Sequence, residues 1–156
     1  MSVKPGGDLV FGPAHADDVD ALVAIDADSP RPWTAQAFST ELEVETPALF
    51  VLRESAQAVA FVVARIHGPE MDIVNFAVAP VYRRHGLGRR LLRSFLDHAA
   101  ASGVEAAFLE VREGNVEARA LYGSAGFTET QRRRGFYEGP QEDALLLRLQ
   151  MSPMIG

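Results

Sequence analysis

From Gly86 to Ser102 the chain sets Leu87, Leu91, Leu92, Phe95, Leu96 and Ala99 at helical spacing, one apolar stripe on a polar segment. Gly103 follows as a C-terminal stop. What flanks this predicted helix decides the fold class. Before it, Ala48–Arg53 and Ala58–Ile66 are rich in Val, Phe and Leu, with Ser55-Ala56-Gln57 as a hairpin turn. Met71–Val78 reads as a third strand, ended by Pro80. After it come a strand at Val104–Val111 and a short helix at Val116–Ser124, with Asn115 as its cap and Gly126 beyond its end. Toward the N-terminus, Leu9–Phe11 is a short strand, and Asp17–Ala27 is a helix with Val19, Leu22, Val23 and Ile25 as its apolar residues. Ser29-Pro30-Arg31-Pro32 breaks that helix. Thr34 then caps a second one over 35–44, with Phe38 and Leu42 inward, and Pro47 closes the unit. Phe127–Gln131 and Ala144–Leu149 supply two last strands. The order β-α-α-β-β-β-α-β-α-β-β alternates only in its middle. It predicts an α/β fold, a mixed sheet with helices on both faces.

The 156 residues suit one compact domain, read as 1–156, with no repeat or linker to divide it. No apolar run nears the roughly 20 residues of a membrane span, and Met1–Asp8 has no apolar core of a secretory signal. The chain has no cysteine, which removes disulfides, thiolate metal sites and a cysteine nucleophile and agrees with a cytoplasmic location. A net charge of −6 argues against general nucleic-acid binding, whose affinity comes from neutralising phosphates. The basic residues are unevenly spread, however. Arg83, Arg84, Arg89, Arg90 and Arg93 fall within eleven residues, enough for a local anion site on an acidic protein.

Three features carry candidate chemistry. Arg83-Arg84-His85-Gly86-Leu87-Gly88 lies between a strand and the start of the long helix. A helix N-terminus offers unpaired amides and a positive dipole end, glycines admit a phosphate close to the backbone, and flanking arginines add charge. The plainer reading is a glycine turn with a solvated basic helix face. Glu110 is the one carboxylate in the apolar run Ala106–Val111. If partly buried, it has the raised pKa that suits a general base near neutrality; if not, it is a strand-end residue paired with Arg112 or facing solvent. Asn115 and Tyr122 stand two helical turns apart. They read either as a cap and a core residue, or as a polar contact and a phenolic proton donor.

Taken together, these segments resemble the GCN5-related N-acetyltransferase family, over residues 8 to 150. Arg83-x-x-Gly86-x-Gly88 is similar to the family's phosphate motif. Several further segments resemble the RimI-type branch, which acetylates protein N-termini. They are Pro32-Trp33-Thr34 with Phe38, Asn75–Pro80, Leu109–Arg112 followed by Asn115, Ala120–Tyr122, Gly126-Phe127, Arg133–Tyr137 and Glu142–Ala144. Two departures stand out: Phe136-Tyr137 replaces that branch's paired tyrosines, and the segment Glu138–Gln141 is short.

The resemblance implies a mostly antiparallel mixed sheet in which two parallel strands, Met71–Val78 and Val104–Val111, splay to admit acetyl-coenzyme A. It implies that Phe76, Ala77 and Val78 bond the pantetheine arm and polarise the thioester. Arg84, His85, Gly86, Leu87, Gly88 and Arg89 would cradle the pyrophosphate, and Asn115 would contact the pantetheine. Glu110 is implied as base and Tyr122 as acid, and Trp33 and Tyr137 would flank the acceptor. That acceptor is a protein or peptide N-terminus, a ribosomal protein among the candidates, with no metal, nucleic acid or membrane involved. A small-molecule amine acetyltransferase, an acyl-coenzyme A binding domain without turnover and, last, a nucleic-acid binder are the competing readings.

Overall fold

The computed structural model describes residues 6–138 and 141–151. The N-terminal stretch read as lacking a secretory signal falls partly outside them, as does part of the short segment after Glu138. The strands are β1 (Leu9–Pro13), β2 (Leu49–Glu54), β3 (Gln57–His67), β4 (Glu70–Val78), β5 (Ala106–Arg112), β6 (Thr128–Tyr137) and β7 (Glu142–Gln150). The helices are α1 (Val19–Asp26), α2 (Ala35–Leu42), α3 (Leu87–Ala101) and α4 (Val116–Ser124), with 3₁₀ turns at Ala16–Asp18 and Pro80–Tyr82. The seven strands form one sheet in the order β1-β2-β3-β4-β5-β7-β6. It is mostly antiparallel, with β4 and β5 as the parallel pair. The mixed α/β sheet matches the expectation, and its residues group into two compact units. The first runs to Arg65 and takes in Asn75–Phe95; the second comprises Ile66–Val74 and the chain from Leu96 onward.

In the first unit, Ser55 and Ala56 both take positive φ, 49° and 71°, the two-residue turn whose twist suits a tight hairpin. The β2–β3 register sets Val51 opposite Phe61 and Phe50 opposite Val62. Opposed residues share a sheet face and successive ones alternate, so Phe61 and Phe50 lie on opposite faces. Phe38 of α2 meets Phe61 edge-on at 5.2 Å, whereas Phe95 of α3 meets Phe50 at 5.6 Å. Helices therefore cover both faces, as the sequence predicts. Phe38, Phe61 and Phe95 are fully buried, and each such ring pair adds about 0.5–1.5 kcal/mol beyond its buried area. Of the predicted α3 stripe, Leu87, Leu91, Leu92, Phe95 and Ala99 are buried and Leu96 is half-buried at its edge.

In the second unit, the parallel ladder joins Glu70–Ala106, Met71–Ala107 and Asp72–Phe108. β5 continues along β7 from Ala106–Gln150 to Arg112–Ala144. β6 is twice as long as the sequence suggests, reaching Tyr137 rather than Gln131. Its residues are mostly exposed, so no apolar alternation marks it. Pairing with β7 and polar bonds hold it instead: Arg132 reaches Glu113, Glu129 and Asp143.

Candidate active site

The first unit contains the glycine loop. Arg84 (φ 68°) and Gly86 (φ 79°) are both left-handed and turn the chain into α3. Leu87 anchors the helix start in the core, while Arg84, His85, Gly86 and Arg89 are exposed and Gly88 is half-buried. Nothing lies within 4 Å of where a Gly86 side chain would begin. Space, backbone amides of an opening helix turn and exposed guanidiniums therefore coincide, a cradle that fits a pyrophosphate. Arg83 does not add its charge to this cradle. Its guanidinium donates to the Asp28 carboxylate at 3.0 and 3.2 Å and, through Nε, to the Val78 carbonyl at 3.2 Å. This pairing holds the Asp28 carboxyl below the usual carboxylate range.

At the end of β4, Phe76, Ala77 and Val78 are half-buried, and the Phe76 amide donates to Asn75 Oδ1 at 2.9 Å. Trp33 is half-buried with its ring 5.2 Å from Phe38, and Thr34 caps α2 through a bond from Ala37 N–H. Between these two segments lies Asp26, 1% exposed. Its Oδ2 accepts from Trp33 N–H at 2.8 Å and from Asn75 Nδ2 at 3.2 Å. Sequence reasoning passed over Asp26. The available signal was an acid in the last turn of a helix, where the dipole disfavours it.

The second unit holds Glu110, Asn115, Tyr122 and Tyr137. Glu110 is exposed, between buried Leu109 and Val111, so the expected partial burial is not found. Nor does it pair with Arg112, which donates to Glu142 Oε1 at 3.2 Å, while Glu142 Oε2 takes the Gly114 amide at 2.8 Å. Glu110 Oε1 instead accepts the hydroxyl of Tyr137. The Arg112 guanidinium lies over the Tyr137 ring, 3.8 Å from its centre, a cation–π contact. The pairing register between β6 and β7 shifts between Arg133 and Tyr137, and Gly135 (φ 61°) gives its amide to Asp143 Oδ1. Such a bulge re-aims the side chains that follow, here Phe136 and Tyr137.

Tyr122 is buried with its ring edge-on to Phe127 at 5.6 Å, and burial pushes its hydroxyl well above the usual tyrosine range. It is a protonated donor at neutral pH. Asn115 Oδ1 accepts from Ala118 N–H at 3.1 Å, so its side chain serves as the α4 cap. Sequence reasoning named Glu110 and Tyr137 but not the Arg112–Glu142 pair that packs against the Tyr137 ring.

Comparison with known proteins identifies the family. Residues 19–127 match the Acetyltransferase (GNAT) family. The chain is 37% identical over 123 residues to the [ribosomal protein bS18]-alanine N-acetyltransferase of Escherichia coli K12, covering 78% of this chain and 82% of that one. It is 35% identical over 121 residues to the N-alpha-acetyltransferase RimI of Mycobacterium tuberculosis, covering 75% of each. The crystal structure of the ribosomal-protein-S18-alanine N-acetyltransferase from Escherichia coli superposes with a TM-score of 0.86 at 32% identity, over 96% of this chain and 97% of that one. A family match over residues 19–127 and these similarities over most of each chain lead to one conclusion: this protein belongs to the GNAT family and is an acetyl-coenzyme A-dependent N-acetyltransferase.

Proposed function

We propose that the chain acetylates the α-amine of a protein N-terminus, a ribosomal protein beginning with a small residue being the favoured acceptor. The observation that carries this reading is 37% identity to a ribosomal-protein alanine acetyltransferase across 82% of that enzyme's length. We read 1–156 as one acetyltransferase domain in the cytoplasm, where ribosomal proteins are made.

In this reading Glu110 is the general base. Tyr137 occupies Oε1, which leaves Oε2 to take a proton from the acceptor ammonium, directly or through water. An α-ammonium has a pKa near 8 and gives up its proton readily near neutrality, so a carboxylate can relay it. Tyr122 is the acid, held protonated by burial and able to give its proton to the departing thiolate. Acetyl-coenzyme A supplies the activated acyl group. Arg84 to Arg89 bind its pyrophosphate, Phe76, Ala77 and Val78 orient the thioester, and Asn115 contacts the pantetheine. Trp33 and Tyr137 line the acceptor side.

The test is a competition by initial rates of thiol release. Peptides beginning with alanine or serine should give the highest kcat/KM, above polyamines, free amino acids and N-blocked peptides carrying lysine. A free amine preferred to every peptide would overturn the acceptor assignment.

A further inference from the structure

We propose that Asp26 is a positioning residue for acetyl transfer, tying the acceptor-side segment at Trp33 to the β4 segment that takes the thioester. One carboxylate oxygen takes both the Trp33 amide and the Asn75 side-chain amide, and the other end of Asn75 takes the Phe76 amide. The chain of bonds is therefore continuous from Trp33 to Phe76. Asp26 is 1% exposed, among the most buried carboxylates described, and the acid–base steps do not use it. Burying a carboxylate is costly unless hydrogen bonds satisfy it, and these bonds are spent on the two segments that must hold acceptor and thioester in register. A second strut runs parallel: Arg83 joins Asp28, two residues on, to the Val78 carbonyl. Two carboxylates at the end of α1 thus fasten the α1–α2 connection to both ends of Phe76–Val78. A displaced acceptor loop would cost acceptor binding before it cost cofactor binding.

This inference rests on Trp33 lying on the acceptor side. The chain has a single tryptophan, so its fluorescence reports that segment without any acceptor present. Asp26→Ala should red-shift Trp33 emission and increase its quenching by acrylamide. With whichever amine the wild type acetylates best, the same variant should raise the acceptor KM about tenfold while kcat and the coenzyme A Kd stay within about twofold. Asp26→Asn keeps an oxygen able to accept both bonds and should restore emission and KM. Asn75→Ala leaves the buried carboxylate and the Trp33 bond intact; it should raise KM about threefold or more, and it decides the matter if Asp26→Ala does not fold. Unchanged KM in the alanine variants, an Asp26→Asn protein as impaired as Asp26→Ala, or equal losses of acceptor and coenzyme affinity would overturn the proposal. Acetylation of small amines in place of peptides would sink the proposed acceptor while leaving this test in force.

Discussion

Glu110 is exposed on β5 between the buried Leu109 and Val111 and accepts the hydroxyl of Tyr137, whose ring lies against the Arg112 guanidinium. Strand alternation alone delivers that exposure, so Glu110→Gln keeps the fold. It should lower kcat by about 10²–10⁴-fold in steady-state assays, the usual share of a general base. Tyr122→Phe should lower kcat with little change in coenzyme A affinity, measured by calorimetry against turnover. Tyr122 also makes a stability prediction. Its pKa is raised by burial, so its contribution is complete below the unfolded value of about 10 and is lost as pH rises beyond it. Denaturant midpoints taken above pH 10 should fall more steeply for the wild type than for Tyr122→Phe.

Asp18 and Arg53 join the turn before α1 to β2 through a two-pronged bond, Arg53 Nη2 to Oδ2 being 2.7 Å. The Arg53 guanidinium holds the Asp18 carboxyl below the usual range despite burial acting the other way. The linked stability is present above the unfolded value of about 3.9 and is lost as pH falls below it. Asp18→Asn should therefore cost about 1–3 kcal/mol near neutrality and flatten the acid limb of chemical denaturation curves. The glycine loop tests a different element: Gly88→Val should cut coenzyme A affinity at least tenfold by calorimetry, because a side chain there keeps phosphate away from the opening amides of α3. At this scale legibility varied with burial. α3 and α4 were readable because Leu91, Leu92 and Phe95 keep helical period and Asn115 caps, whereas β6 was cut short because Arg132 and its carboxylate partners hold a strand that no apolar pattern marks. Asp26 and Arg83 were misread or missed for a related reason: their partners, Trp33, Asn75 and Asp28, lie between 7 and 55 residues away, and one sequence does not reveal such pairings.

For the molecule as a whole, a net charge of −6 coexists with exposed Arg84 and Arg89 at the loop. Coenzyme A should raise the thermal midpoint by several degrees at saturating concentration, since a ligand at 100 times its Kd adds about 2.7 kcal/mol. The gain should shrink with added salt, which screens the exposed arginines. The family match, from residue 19 to 127, takes in residues of both compact units. No described helix is long and apolar enough to cross a membrane. The claim that joins residue, element and molecule is transfer of an acetyl group to an α-amine. Its most direct test offers one peptide that carries both a free N-terminal alanine and an internal lysine, with acetyl-coenzyme A, and locates the added acetyl group by fragment mass spectrometry. The account predicts modification of the alanine α-amine, strongly reduced with Glu110→Gln; acetyl groups found on the lysine side chain, or an α-amine product formed equally well by Glu110→Gln, would contradict it.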